Sequence, residues 1–228
     1  MIYRERATGL PGTVLWQQDA GAAPEPVRIL PDGCLDLIWD GSRLLVAGPD
    51  TAARWHTGPA GASYAALRFS GGTGPALLGV PADALRDRSP ALDELWPAAL
   101  ARRLAEQVAA DPAGALQAWA AGRLAAREVD LLGPRVLALA RTGAPVAVMA
   151  ERLGLSPRQL HRRCLPVFGY GPRLLSRVLR LHRALDAARS GSPLARVAAD
   201  CGYVDQGHLS REVRALAGTT PTALLGRG

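Results

Sequence analysis

A chain of 228 residues that is 48% hydrophobic has ample apolar material for a packed core and room for one large or two modest domains, which excludes wholesale disorder. It has no apolar run of about eighteen residues, and the N-terminus MIYRERATGL has no apolar signal-type stretch, so a cytoplasmic protein without membrane contact is expected. Three scattered cysteines fit reduced thiols rather than disulfides or a zinc site, and the net charge of +7 is split into −3 over residues 1–132 and +10 over residues 133–228.

Residues 1–70 carry short apolar or alternating runs bounded by Pro, Gly and Asp, at 13–17, 27–30, 34–39, 43–47 and 63–69. They predict strands of a small sandwich or barrel. Asp40-Gly41 between two of them is a two-residue hairpin signal, since a type I′ turn needs positive φ at both central positions. In the strand CLDLIW, Asp36 lies between Leu35 and Leu37, where a carboxylate needs partners. Arg28 or Arg68 could supply one, and a structural ion pair and a ligand contact remain open for it. Asp36, Trp39 and Arg68 are the candidate ligand-binding residues here, although Trp16, Trp39, Trp55 and Trp96 could equally fill the core.

From Gly71 the pattern becomes helical. Gly71 to Gly74 lacks the Gly-Lys-Ser/Thr ending of a phosphate loop and reads as a turn before a helix. Residues 91–110 and 112–129 are Ala- and Leu-rich, with Leu92, Leu95, Trp96, Ala99, Leu100 and Leu104 forming a stripe. The domain boundary is expected near Leu132-Gly133-Pro134, giving an N-terminal β-rich unit of residues 1–132 and a C-terminal unit of 133–228.

The C-terminal unit reads as helices at 134–141, 145–153, 157–166, 171–189, 193–200, 206–217 and 220–226, separated by glycines. Its plan is duplicated: Ala150 leads to Gly154 as Ala198 leads to Gly202, and each glycine precedes a polar turn and an arginine-bearing helix. This spacing gives two helix-turn-helix units, and their +10 background is what phosphate neutralisation requires. The chain has no lysine, so part of the arginine excess is compositional, but a general bias would not reverse sign near residue 133. Segment 171–189, roughly 28 Å long as a helix, can hold two recognition helices about one DNA turn, or 34 Å, apart. Ser156 and Asp205 are the expected N-caps.

On the run A-x-x-C-G-Y-x-D-Q-x-H-L-S-R-E from Ala198 to Glu212, the following AGTTP, and MAERLGLSPRQLHRR at 149–163, residues 134–226 resemble the DNA-binding domain of the AraC/XylS transcription regulators. The resemblance implies two helix-turn-helix units joined by a linker helix, with Arg158, His161 and Arg162 reading bases in the first and Gln206, Gly207, Ser210 and Arg211 in the second. Arginine suits guanine and glutamine suits adenine. Glu212 is expected to pair with an arginine, and His208 to pack locally or meet DNA. Cys164 and Val213 stand at usually aromatic positions, and Pro166 predicts a short first recognition helix. LPDGCLDLIW, VAGP, LRF and LLGVPADAL resemble the N-terminal domain, of uncharacterised role, attached to some of these regulators. The family implies double-stranded DNA as partner, contact with RNA polymerase, and control by a small-molecule effector or by self-association as a homodimer.

The fold class expected is α+β, and the function that of a regulator without cofactor or metal. An AraC-linked DNA-repair methyl-acceptor would need four clustered thiolates, and residues 1–132 hold only Cys34. A cupin-type metal enzyme would need two or three imidazoles, and the same region holds only His56. A ligand-free dimerisation or docking module remains the alternative for the N-terminal unit.

Overall fold

Alternation of side chains along the strands sets the layers of the N-terminal half. In the computed structural model, which describes residues 2–126 and 130–226, the strands are β1 (Ile2–Ala7), β2 (Thr13–Asp19), β3 (Pro26–Ile29), β4 (Leu35–Trp39), β5 (Leu44–Ala47), β6 (Arg54–Thr57) and β7 (Ser63–Phe69). Five of them form an antiparallel sheet in the order β1-β2-β7-β4-β5, and β3 pairs with β6 as a separate antiparallel ribbon. Two strands, β1 and β6, lie outside the segments that the sequence marks. IYRERA is exposed at all six positions and RWHT at three of four, so neither carries the one-sided apolar signal of a half-buried strand.

The tight turn between β4 and β5 sits one residue later than expected. Trp39 pairs with Leu44 and the Asp40 amide donates to the Arg43 carbonyl, so the central residues are Gly41 and Ser42. Only Gly41 has positive φ, at +93°, which is the type II′ pattern. Asp40 flanks the turn, and its Oδ1 accepts from the amides of Ser42 and Arg43.

One face of the sheet carries Leu15, Leu35, Leu37, Trp39, Leu67 and Phe69, which pack with Leu77, Leu104, Val108 and Leu116 in one core. Those partners come from α1 (Thr73–Leu78), α3 (Ala98–Ala110) and α4 (Pro112–Ala125). Each such side chain, fully buried, contributes about 1.5–3 kcal/mol. The helix expected over 91–110 is divided into α2 (Leu92–Leu95) and α3, because Pro97 pushes Trp96 out of the helical region to φ −121°, ψ 161°. Leu100, placed in the apolar stripe by its spacing, is 55% exposed. The end of the expected segment 112–129 lies outside the described residues.

The C-terminal half is helical: α5 (Leu132–Arg141), α6 (Val146–Arg152), α7 (Pro157–Phe168), α8 (Pro172–Arg189), α9 (Leu194–Asp200), α10 (Gln206–Ala217) and α11 (Pro221–Leu224). Helix α8 is the spine. Leu175 belongs to the core shared with α5, α6 and α7, whereas Val178, Leu181 and Leu185 belong to the core shared with α9 and α10. Helix α7 is not shortened by Pro166. It runs on to Phe168, because the proline ring lies on the exposed side and the carbonyl left without a helical donor is that of the exposed Arg162.

Candidate nucleic-acid interface and ligand cavity

The first helix-turn-helix is α6, a four-residue turn and α7. Gly154 has φ +66° with open space around it, so the left-handed backbone alone requires glycine there. Ser156 closes a capping box: its Oγ accepts from the Gln159 amide at 3.2 Å, and Gln159 Oε1 accepts from the Ser156 amide at 2.8 Å. Leu160, Cys164 and Phe168 form the buried stripe, so Cys164 fills an inward position. Arg158, His161 and Arg162 are exposed. The His161 ring leans back on Gly171, where a Cβ would lie 2.2 Å from its Nδ1.

The second unit repeats the plan with α9, a turn through Gly202 at φ +75°, and α10. Asp205 Oδ1 accepts from the His208 amide at 2.6 Å, which caps α10. Leu209, Val213 and Leu216 point inward, leaving Gln206, Gly207 and Arg211 exposed and Ser210 half-buried. Arg211 lies along Gly207, with Nη1 3.4 Å from where a Cβ would sit. His208 is held locally, its Nδ1 accepting from the Val204 amide and its ring edge-on to Tyr203. Glu212 receives Nε and Nη2 of Arg177 at 2.8 and 3.1 Å, with Arg180 at 3.5 Å, which ties α10 to the spine. Burial works against the Glu212 carboxylate, yet the Arg177 hydrogen bond and both guanidinium charges hold its pKa below the ordinary value. Val204, in the turn beside α10, is 87% exposed and has no polar signature that would mark it in the sequence.

The two halves are joined by hydrogen bonds at defined points. Arg28 on β3 donates through Nη1 to the carbonyl of Ala217, and the Ala53 amide donates to the carbonyl of Leu216 at 2.7 Å. Both acceptors are in the last turn of α10, where helix carbonyls lack intrahelical partners and the dipole favours a cation. The Arg28 guanidinium also lies 4.5 Å from the centre of the exposed Trp55 ring. On the spine, His182 Nε2 and the carbonyl of Pro31 are 2.7 Å apart, in hydrogen-bond contact. The three hydrogen bonds were not legible in the sequence, because each pairs a side chain or amide with a backbone carbonyl over 150 residues away.

A cavity of about 190 Å³ lies between the sheet and the ribbon. Period two explains its walls: Trp16, Asp36, Ile38 and Arg68 occupy the sheet face opposite the helices, and Val27, Ile29, Arg54 and His56 come from the inner face of the ribbon. Of the three candidate ligand residues, Asp36 and Arg68 are therefore brought together, and Trp39, an odd number of positions away, packs in the core on the other face. Of the four tryptophans, Trp16 lines the cavity, Trp39 and Trp96 pack with the core, and Trp55 is outside. Asp36 Oδ1 accepts from Trp16 Nε1 at 3.1 Å and from Arg68 Nε at 3.2 Å. Arg68 also reaches Glu5 at 3.1 Å and Asp32 at 3.6 Å. Burial raises the Asp36 carboxyl to about 6 against the opposing pull of Arg68.

Residues 149–227 match a family model described as a helix-turn-helix domain, and residues 13–90 match one described as a domain of unknown function. No curated protein matches the chain. Among solved structures it is similar to ToxT from Vibrio cholerae O395, at 9% identity and a TM-score of 0.49, over 95% of this chain and 98% of that one. It is similar also to unsaturated fatty acid bound wild-type ToxT from Vibrio cholerae strain SCE256, at 10% identity and a TM-score of 0.49, over 95% of each chain. Among the described residues, no helix is long and apolar enough to cross a membrane.

Proposed function

We propose that this protein, which carries an AraC-type helix-turn-helix domain over residues 149–227, is a sequence-specific transcription regulator whose DNA affinity is set by a small molecule held in the N-terminal cavity. One observation carries the DNA reading. Helices α7 and α10, each of 12 residues and each capped by a side chain, bury one stripe and present arginines outward on either side of a single 18-residue spine. Arg158, His161 and Arg162 would read bases from α7, and Gln206, Gly207, Ser210 and Arg211 from α10. Arginine can grip guanine bidentately, glutamine can do the same with adenine, and Val204 offers an apolar contact for a thymine methyl.

Control by a ligand is supported by the ribbon. Its inner residues Val27, Ile29, Arg54 and His56 line the cavity, and its outer residues Arg28 and Trp55, with the neighbouring Ala53, meet or adjoin the end of α10. An occupant that shifts the ribbon shifts the grip on the second recognition helix. RNA polymerase is the protein partner that this reading entails.

Self-association is a second mode of control, favoured by β1, which is the open edge of the sheet with every residue exposed. At the other edge, amides of β5 and its extension donate to Pro90 and Arg88.

The test is binding to the promoter region of the protein's own gene, measured by anisotropy over a salt series. Arg162→Ala and Arg211→Ala should each cost roughly 1–3 kcal/mol on the specific site and flatten discrimination between bases. Salt-insensitive binding, or both variants binding as tightly as wild type, overturns the reading.

A further inference from the structure

We infer that the cavity between the sheet and the β3–β6 ribbon is built for a small organic cation with an apolar or aromatic body, its ammonium group held by Asp36. The binding claim stands on the cavity itself, and its regulatory meaning rests on the function proposed above.

The first ground is the state of the charged groups. Both guanidiniums in the wall already have carboxylate partners. Arg54 donates to both oxygens of Asp50 at 2.9 and 3.2 Å, and Arg68 is shared among Asp36, Asp32 and Glu5. An anionic ligand would have to take a guanidinium from a carboxylate and leave that carboxylate without its partner. A cation meets the opposite situation, an excess of carboxylates over guanidiniums around Arg68.

The second ground is an oxygen without a donor. Both hydrogen bonds to Asp36 end on Oδ1, from Trp16 and from Arg68. Among the described residues none ends on Oδ2, while Asp36 itself lines the cavity. A carboxylate oxygen so placed wants an N–H donor, and a charged donor makes the stronger bond.

The remaining walls match the rest of such a molecule. The Trp16 indole, whose Nε1 bonds Oδ1, forms a tilted pair with Tyr3 at 5.9 Å between ring centres. An ammonium at Oδ2 is within reach of that aromatic surface, which attracts cations through the ring quadrupole. Val27, Ile29, Ile38 and Leu45 supply the surface for an apolar body.

The experiment uses the full chain and isothermal titration calorimetry at pH 7.5. Phenethylamine, tryptamine and hexylamine are each compared with the carboxylate and the alcohol of the same body, namely phenylacetate, indole-3-acetate and hexanoate, and 2-phenylethanol, tryptophol and hexanol. At least one amine should bind about tenfold or more tightly than both of its matched compounds, the factor expected of a charge-assisted hydrogen bond. Asp36→Asn should abolish that preference, and Val27→Trp, which adds bulk from the ribbon wall and keeps the Asp36 carboxylate, should block the amine while leaving the circular dichroism spectrum unchanged. If no amine binds, if a carboxylate or alcohol matches or exceeds its amine in every set, or if Asp36→Asn keeps the preference, the inference is overturned. Repeating the DNA titration with and without the amine separates the two proposals. Amine binding with unchanged DNA affinity leaves the cation site standing and removes the effector role.

Discussion

The guanidinium of Arg28 donates to the backbone carbonyl of Ala217, joining the third strand of the N-terminal sheet region to the last turn of the second recognition helix. Arg28→Ala removes a donor from a helix end whose carbonyls have few other partners. It should lower stability by about 1 kcal/mol and speed amide hydrogen exchange at residues 215–218, with no change at α7. Equal acceleration in both recognition helices would show that the contact does not act locally on α10.

Glu212 is the bracket between α10 and the spine. Glu212→Ala leaves Arg177 and Arg180 facing each other without a carboxylate, at a cost of about 1–3 kcal/mol after allowing for their partial exposure. Because the carboxyl is held below its ordinary pKa in the folded protein, its contribution is present above that ordinary value and is lost as the pH falls through the folded one. Urea denaturation of the variant and of wild type should therefore converge as the pH falls below the ordinary glutamate range.

Gly207→Ala separates folding from recognition. The position is helical with no positive φ, so a methyl group should raise helix stability by up to about 1 kcal/mol. The same methyl would stand 3.2 Å from Asp205 Oδ1, which must give slightly, and in contact with Arg211 Nη1 at 3.4 Å, so it crowds the face from which Arg211 projects. The prediction is a higher melting temperature together with weaker DNA binding. A change in the same direction for both would place Arg211 outside the interface.

Asp36 titrates in the opposite sense to Glu212. The groups facing it or sharing its guanidinium are Arg68 on β7, Tyr3 and Glu5 on β1, Asp32 before β4, and Arg54 and His56 on β6. With the folded value raised to about 6, the fold holds the proton more tightly than the unfolded chain. The stabilisation is full below the ordinary carboxylate value and is lost as the pH rises through 6. Relative to Asp36→Asn, wild type should gain up to about 3 kcal/mol between pH 7 and pH 4.

Much of the C-terminal half was legible because its signals are local. Glycine at the left-handed turn positions, Ser156 and Asp205 as caps, and a 3.6-residue apolar stripe each act within a few residues. The exception was Pro166, where the general rule that proline ends a helix failed because the affected carbonyl faces solvent. In the N-terminal half the strands with one-sided burial were visible, whereas the exposed β1 and β6 were not. Missing β6 hid the cavity, since Arg54 and His56 on that strand help to close it opposite the sheet. The odd spacing between Asp36 and Trp39 sends the two to opposite faces of β4, and that much is readable in the sequence.

The ribbon strand β3 is only four residues long, yet its alternate positions belong to different tasks. Val27 and Ile29 turn toward the cavity, and Arg28 turns toward α10. Inserting or deleting one residue ahead of β3 would exchange the two sets, whereas point changes can leave either set intact. Under the control proposed above, ligand preference would thus be set at 27 and 29 and its transmission to α10 at 28, so that either could change without the other.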